Sequence, residues 1–358
     1  MISVLKNLDW KLNAAVLFLL AAGLSSLFGA SQSLFGKQLI WVLMGIILML
    51  ALSGFDLRPI TQRSSFIFGF YFFLIALLLT TYFFAPPIRG VRSWLQVGGF
   101  QFQASEFMKI GLILLYALFF SRKHAAIARV SNLIVSFVYF LIPGALIALQ
   151  PDLGTILVLF ALWLGFLLVS GIRPTHLVLI GLIVLFVLLI GWHSFLEPYQ
   201  KERILGVISP GRDPLGVNYS VIQAKVAIGS AGFFGKGFRQ GTQAQLGFLT
   251  ESKTDFIFSA IVEEWGLMAG ILIVFSLLFA VFRTAKIGLE APNNVSRFLC
   301  LGVLILWTVQ FSLNVGSNLG LTPVVGVTFP FLSYGGSSLL TNFILLGIIQ
   351  SISTRNSL

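Results

Sequence analysis

The sequence predicts an all-α polytopic membrane protein, and three observations lead there. Of its 358 residues 57% are hydrophobic and 14% aromatic, while only 10% are charged, far below the ~25% charge of a typical soluble domain. A soluble fold of this length would lack the polar residues to cover its surface. About ten long apolar runs, each near the ~20 residues that cross a bilayer, follow one another along the chain. These runs are continuously apolar rather than alternating, so they read as helices and not as barrel strands.

The predicted spans are 12–30, 38–54, 65–84, 104–121, 131–149, 153–170, 176–194, 256–282, 297–319 and 337–353. Lys6 and Lys11 precede the first run and small residues follow it, as in a signal peptide. The run is long for that role and nine more follow, so it reads as an uncleaved first helix. One set of loops holds Lys6, Lys11, Arg58, Arg63, Arg122, Lys123, Arg129, Arg173, Arg283, Lys286, Arg297 and Arg355; the short loops opposite hold Lys37, Arg89 and Arg92. The bias places both termini in the cytoplasm and makes the basic residues topology anchors, not a nucleic-acid surface. Cys300 is the single cysteine and lies in the ninth span, so no intramolecular disulfide is possible.

Residues 195–255 form one long outer loop between the seventh and eighth spans. Connections of that length usually serve a function. It carries Lys201, Arg203, Arg212, Lys225, Lys236, Arg239 and Lys253, and long loops are exempt from the topology rule. Within it Val217–Ile228 reads as a short amphipathic helix at the membrane surface, with Val221 and Ile228 opposite Lys225. No repeat or linker divides the chain, so residues 1–358 form a single integral-membrane domain.

Ionisable residues at membrane depth cost about 2.5–3.5 kcal/mol and usually have a partner or a function. Glu106 and Lys109 open the fourth span three residues apart, on one helix face. Asp152 sits in the turn Gln150-Pro151-Asp152-Leu153-Gly154-Thr155, and Asp255 in Glu251-Ser252-Lys253-Thr254-Asp255-Phe256, where the long loop re-enters the bilayer. Glu263 and Glu264 follow two turns on. Each has a structural alternative: an ion pair for Glu106 and Lys109, a helix cap for Asp152 or Asp255, and packing support for Glu263 and Glu264. The functional alternative is that all gather at one depth beneath one basic loop, as a membrane enzyme would present a carboxylate to a lipid headgroup. Other motifs fail. Gly235-Lys236-Gly237 lacks the rest of a phosphate-binding loop. His124, His176 and His193 have no metal-ligand spacing, and Asn218-Tyr219-Ser220 and Asn294-Val295-Ser296 are glycosylation triplets of a kind common by chance.

Near the end, Asn314-Val315-Gly316-Ser317-Asn318-Leu319-Gly320 runs through Pro323, Gly326 and Pro330 to Ser333-Tyr334-Gly335-Gly336-Ser337-Ser338. Such backbone is tolerated at membrane depth only when buried in protein or lining an aqueous cavity. This segment resembles the signature of the SEDS family, the shape, elongation, division and sporulation proteins of RodA and FtsW type. The resemblance extends over nearly the whole chain: Arg92-Ser93-Trp94, Gln103-Ala104-Ser105-Glu106-Phe107-Met108-Lys109, the Asp152 turn, Asp213-Pro214, Gln223, Gly235-Lys236-Gly237 and Thr254-Asp255-Phe256-Ile257-Phe258 with Glu263-Glu264 all have counterparts. It is nearest to the elongation type. Ala104 stands where many members carry Pro, a change at the start of the fourth helix that touches no chemistry.

The resemblance implies a peptidoglycan glycosyltransferase of the bacterial cytoplasmic (inner) membrane, polymerising lipid II on the extracytoplasmic face during cell elongation and shape maintenance. The reaction needs a base for the acceptor hydroxyl and cations for the leaving diphosphate. Asp255 is the expected general base. Lys109, Arg203 and Lys236 are expected to bind the diphosphate, with Glu106 orienting Lys109. Asp152 is expected to hold a polar cavity open or to help bind Mg²⁺ or Mn²⁺, with Asp255 as a second possible ligand, and Ser333 to line the substrate site. A class B penicillin-binding protein (a single-span transpeptidase) and the elongation machinery are the expected partners, with membrane lipid around the whole. The rival readings are a lipid II flippase or transporter, which broken segments and intramembrane charges would also suit, and a structural scaffold.

Overall fold

A computed structural model of the chain describes residues 7–86, 92–97, 100–123, 129–194, 197–209, 213–216 and 218–356. Lys6, Arg89, His124, Arg212 and Val217 lie outside the described residues. Among the described residues, ten long helices match the ten expected spans. They are α1 (Trp10–Ala30), α2 (Gln32–Gly54), α4 (Ser64–Phe84), α5 (Ala104–Lys123), α6 (Val130–Ala148), α7 (Leu153–Val169), α8 (Pro174–Ser194), α12 (Ile257–Glu290), α13 (Asn294–Leu319) and α14 (Gly336–Asn356). Between them lie α3 (Arg58–Thr61), a hairpin of β1 (Trp94–Val97) and β2 (Phe100–Gln103), and three short helices, α9 (Pro198–Ile208), α10 (Tyr219–Ser230) and α11 (Thr242–Gln245). Nine of the ten are long and apolar enough to cross a membrane. The tenth, α7, has 17 residues, about 26 Å at ~1.5 Å per residue, a little short of the ~30 Å hydrocarbon core.

Caps account for most differences from the expected boundaries. Ser31 alone separates α1 from α2: its N–H closes α1 on Leu27, and its hydroxyl accepts from Leu34 N at 3.5 Å. The second span therefore begins six residues earlier than expected, and Lys37 lies in its first turns rather than in a loop. Asp9 caps α1 by accepting from Leu12 N at 2.8 Å. It also pairs with Arg283, while Gln350 donates to the Asp9 carbonyl and accepts from its N–H. Those bonds tie α1, α12 and α14 at one end, and α12 runs on to Glu290, past its expected end at 282.

Among the described residues, the β-hairpin is the one departure from an all-α architecture. It is antiparallel, with Trp94 opposite Gln103, and delivers the chain directly into α5. Alternating residues on both sides of Gly98-Gly99 carried that signal.

Helices α5 and α14 form the centre and bury most of their residues, whereas α8 buries none. α14 packs on α2, α12 on α1 and α13, and α5 on α4 and α13. Two close approaches are read directly from glycines: Gly45 faces the Phe343 ring, and Gly336 faces Trp41, with no room for a Cβ. An aromatic cluster of Tyr116, Phe120, Phe166 and Phe298 fills the space between α5, α7 and α13. The long loop packs on the bundle through α10, whose Ala224 and Ala227 are fully buried and whose Lys225 is exposed. The expected amphipathic helix is thus present, and its inner face is set by alanines small enough for close approach.

Candidate functional site

The turn that precedes α12 presents Asp255, partly buried. Three consecutive carbonyls of this turn are each captured from a distant part of the chain. Tyr334 N donates to the Lys253 carbonyl at 3.0 Å. Ser333 Oγ donates to the Thr254 carbonyl at 2.7 Å. The Asp255 carbonyl accepts from Asn318 Nδ2 at 2.8 Å and Asn314 Nδ2 at 3.1 Å.

Asn314 and Asn318 are one helical turn apart and therefore share a face of α13. Asn318 Oδ1 also accepts from Ser259 N at 3.1 Å and from Ser259 Oγ at 2.5 Å, so this one amide closes the start of α12. Gln38 of α2 supports the arrangement from behind. Its Nε2 donates to the Ser333 carbonyl and its Oε1 accepts from Gly335 N, both at 3.3 Å. In a low-dielectric interior every such backbone group needs a partner, and here the partners are side-chain amides, the Ser333 hydroxyl and the Tyr334 N–H.

Asp152 stands on the other side of residues 321–335. It caps α7, accepting from Thr155 N at 3.1 Å, Thr155 Oγ1 at 2.8 Å and Gln103 Nε2 at 3.2 Å. Burial raises its carboxyl above the ordinary 3.8, against the hydrogen bonds from Thr155 and the nearby Lys109 charge. Gly154, two residues on, faces the Val325 carbonyl and the Val327 side chain, and Val327 O accepts from Asn314 Nδ2 at 2.9 Å. The Asp152 and Asp255 turns thus rest against the same segment. The Thr328 and Ser338 hydroxyls meet at 2.8 Å and tie the segment to the first turn of α14, and Gln103 N donates to Ser337 Oγ at 3.0 Å.

The remaining expected residues separate into two groups. Glu106 and Lys109 form a buried pair at 2.6 Å, leaving Glu106 Oε2 with no protein partner. They lie on α5 one and two turns beyond Gln103. Arg203 on α9 is exposed, donates to the Val324 carbonyl at 3.1 Å and stacks over Tyr199 at 5.6 Å, so it borders the same segment.

Lys236 is placed elsewhere. Its ammonium pairs with Glu263 Oε1 at 2.7 Å and donates to Thr242 Oγ1 at 3.0 Å. Glu263 is fully buried and also accepts the N–H groups of Gln243 and Ala244. Glu264 accepts from Gln245 Nε2 at 2.7 Å. Both acids pin the long loop to α12, as the packing alternative required.

The motif Gly235-Lys236-Gly237 has a backbone explanation. α12 is broken at Gly266 (φ 86°, ψ 173°), which frees backbone groups on either side. The freed Glu263 and Glu264 carbonyls accept from Lys236 N at 2.9 Å and Gly237 N at 3.0 Å, while Leu267 N and Met268 N donate to Gly232 and Phe233 at 3.1 and 3.3 Å. Gly235 has a positive φ and faces the Glu264 carbonyl too closely for any side chain. The loop stitches the broken helix.

Asn314, Asn318, Gln38 and Gln103 are site residues to which the sequence alone assigns no role. A signal for three amides was present: Gln310, Asn314 and Asn318 stand four apart in an otherwise apolar span. Among the described residues, no three His, Cys, Asp or Glu side chains gather as a metal-ligand set.

A family model described as a cell cycle protein, FtsW/RodA/SpoVE, matches residues 10–358. The chain belongs to the SEDS family. Among its SEDS relatives, the peptidoglycan glycosyltransferase MrdB of Escherichia coli K12 is 35% identical over 321 residues, covering 88% of this chain and 85% of that one. The peptidoglycan glycosyltransferase RodA of Treponema pallidum is 30% identical over 414 residues, covering 95% and 94%. Among solved structures, a chain from a peptidoglycan synthase complex, described for its coordination of polymerization and crosslinking, superposes with a TM-score of 0.82 at 29% identity and 98% coverage of both chains. RodA of Thermus thermophilus superposes with a TM-score of 0.72 at 26% identity, again covering 98% of each. The ten-helix arrangement is therefore that of a SEDS multi-pass membrane protein.

Proposed function

We propose that this SEDS protein is a peptidoglycan glycosyltransferase that polymerises lipid II for cell elongation and shape, with Asp255 as its general base. The observation that supports this reading most is the turn carrying Asp255. Three successive carbonyls fixed from Tyr334, Ser333 and the Asn314–Asn318 pair are more constraint than a connecting loop needs, and constraint of that kind suits a group that must meet a reacting atom. The relatives named as peptidoglycan glycosyltransferases bring the reaction class.

In this reading Asp255 takes the proton from the 4-hydroxyl of the acceptor sugar as its oxygen attacks C1 of the donor. The bond from C1 to the undecaprenyl diphosphate breaks, the new glycosidic bond forms, and the sugar carbon inverts, as in a single displacement. Of the cations, Arg203 is exposed beside the segment and suits the leaving diphosphate directly. Lys109 is held in a buried, net-neutral pair with Glu106 and acts on the site through α5, and Lys236 acts through the loop that it and Glu263 anchor. Ser333 lines the site by holding the Thr254 carbonyl. The donor set fits a divalent cation carried by the substrate better than a protein-only cage: Mg²⁺ or Mn²⁺ held by Asp255 or Asp152 would neutralise charge on the diphosphate.

The charge bias orients both termini to the cytoplasm and this site to the extracytoplasmic face of the inner membrane. A class B penicillin-binding transpeptidase is the partner that would crosslink the product, within the elongation machinery. The test is polymerisation of lipid II by purified protein with its transpeptidase. Asp255→Ala should make no polymer while remaining folded, and normal polymer from that variant would overturn the assignment. Scrambling of labelled lipid II in liposomes without polymer would instead identify a flippase.

A further inference from the structure

We infer that Asn314 and Asn318 are positioning residues for Asp255: they hold its main chain so that the carboxylate stands in the geometry that proton removal requires. The inference rests on the reading of Asp255 as the base. Both side chains are almost completely buried, Asn314 at 1% exposure and Asn318 at 0%. A buried amide is costly unless its donors and acceptor are used. Here the Nδ2 groups of two amides converge on one carbonyl oxygen, that of Asp255, at 3.1 and 2.8 Å.

The remaining bonds show what each amide couples. Asn314 Nδ2 also donates to the Val327 carbonyl at 2.9 Å, so one nitrogen holds both the Asp255 turn and the segment that packs on Gly154 beside Asp152. Asn318 Nδ2 donates to the Asn314 carbonyl at 2.8 Å, and its Oδ1 takes the N–H and hydroxyl of Ser259. Asp255 is thereby fixed relative to α13, to the first turn of α12 and to residues 321–335 together. Loss of the amides frees the carbonyl and lets the turn rotate, and a displacement near 1 Å at a reacting group costs on the order of 10²-fold in rate. Neither amide is assigned a contact with substrate, so affinity should be spared.

The experiment measures kcat and KM for lipid II polymerisation by the full-length protein with its transpeptidase. Asn314→Ala, Asn318→Ala and the pair are compared with wild type, alongside lipid II binding by Asp255→Asn with and without Asn314→Ala. The expected result is a loss in kcat of about 10-fold for each single variant and on the order of 10²-fold for the pair, with KM within about twofold. Binding by Asp255→Asn should be unchanged by the added Asn314→Ala. Asn318→Ala also uncaps α12, so Asn314→Ala, which leaves the Ser259 bonds in place, is the variant that decides if the other fails to fold. Wild-type kcat in folded Asn314→Ala, or a loss that falls in KM and in binding, would overturn the inference. If Asp255→Asn itself turns over normally, the reading of the base fails; if Asp255→Asn is inactive and the asparagine variants are normal, only the positioning role fails.

Discussion

Ser333 Oγ donates to the Thr254 carbonyl at 2.7 Å across 79 positions of sequence, and the same oxygen accepts from Phe329 N at 2.9 Å. One buried hydroxyl therefore joins the turn of Asp255 to the Gly- and Pro-rich segment before α14. Its two bonds use the donor and one acceptor of the hydroxyl. Ser333→Ala should cost about 1–3 kcal/mol of stability, because a carbonyl and an N–H would lose their partner in a buried place. Thermal unfolding in detergent measures this, and an unchanged midpoint would contradict it.

Lys236 and Glu263 make the second prediction. Glu263 is wholly buried and Lys236 is 25% exposed. Lys236→Met would leave the carboxylate to the N–H groups of Gln243 and Ala244 and the Thr242 hydroxyl. The expected loss is about 1–3 kcal/mol, below the ~3–5 kcal/mol of a fully enclosed pair. Lys236→Met with Glu263→Gln should be more stable than Lys236→Met alone, since no unpaired charge remains. An unchanged unfolding midpoint in Lys236→Met would show that the lysine does not serve the fold.

Gly266 is expected to refuse a side chain. Its φ of 86° is strained for any L-residue, and a Cβ would press into the Phe233 carbonyl. Gly266→Ala should destabilise by more than about 2 kcal/mol, whereas Gly69→Ala, with open space at its Cβ inside α4, should be neutral or stabilising by up to about 1 kcal/mol. Comparable yields of folded protein from both variants would argue against the stitched break.

Asp56 provides a pH dependence at the far end of the molecule. Its hydrogen bond with the Arg58 guanidinium, at 2.8 Å, holds the carboxyl at about 2, below the ordinary 3.8. The folded form therefore prefers the charged state. The stabilisation is complete above 3.8 and is lost as pH falls through about 2. The difference in thermal midpoint between wild type and Asp56→Asn should be level at higher pH and shrink across that window. A difference that grows on acidification would have the wrong sign.

The spans were legible because hydrophobic runs long enough to cross a bilayer admit few other structures. So were Asp152 as a candidate cap and the Glu106–Lys109 pair, since both follow from local spacing. Bonds between distant residues were not legible. Nothing local in the sequence brings Gln38 to Ser333 or Asn318 to Asp255, and Lys236 carried the same signal as Arg203 although Glu263 holds one and the Val324 carbonyl the other. The break at Gly266 was hidden for a different reason: its freed backbone groups are satisfied by a loop some thirty residues earlier, and hydropathy does not record backbone partners.

In the proposed mechanism the carboxylate of Asp255, and not merely its place in the fold, performs the proton transfer. The most direct measurement is the initial rate of glycan polymerisation from lipid II by purified Asp255→Asn and Asp255→Glu proteins, each with its transpeptidase and each shown to be folded. A base requires that Asp255→Asn, equal in shape but unable to take the proton, be inactive, while Asp255→Glu keeps a measurable fraction of the wild-type rate. Wild-type polymerisation by Asp255→Asn would contradict the role of Asp255 as the base.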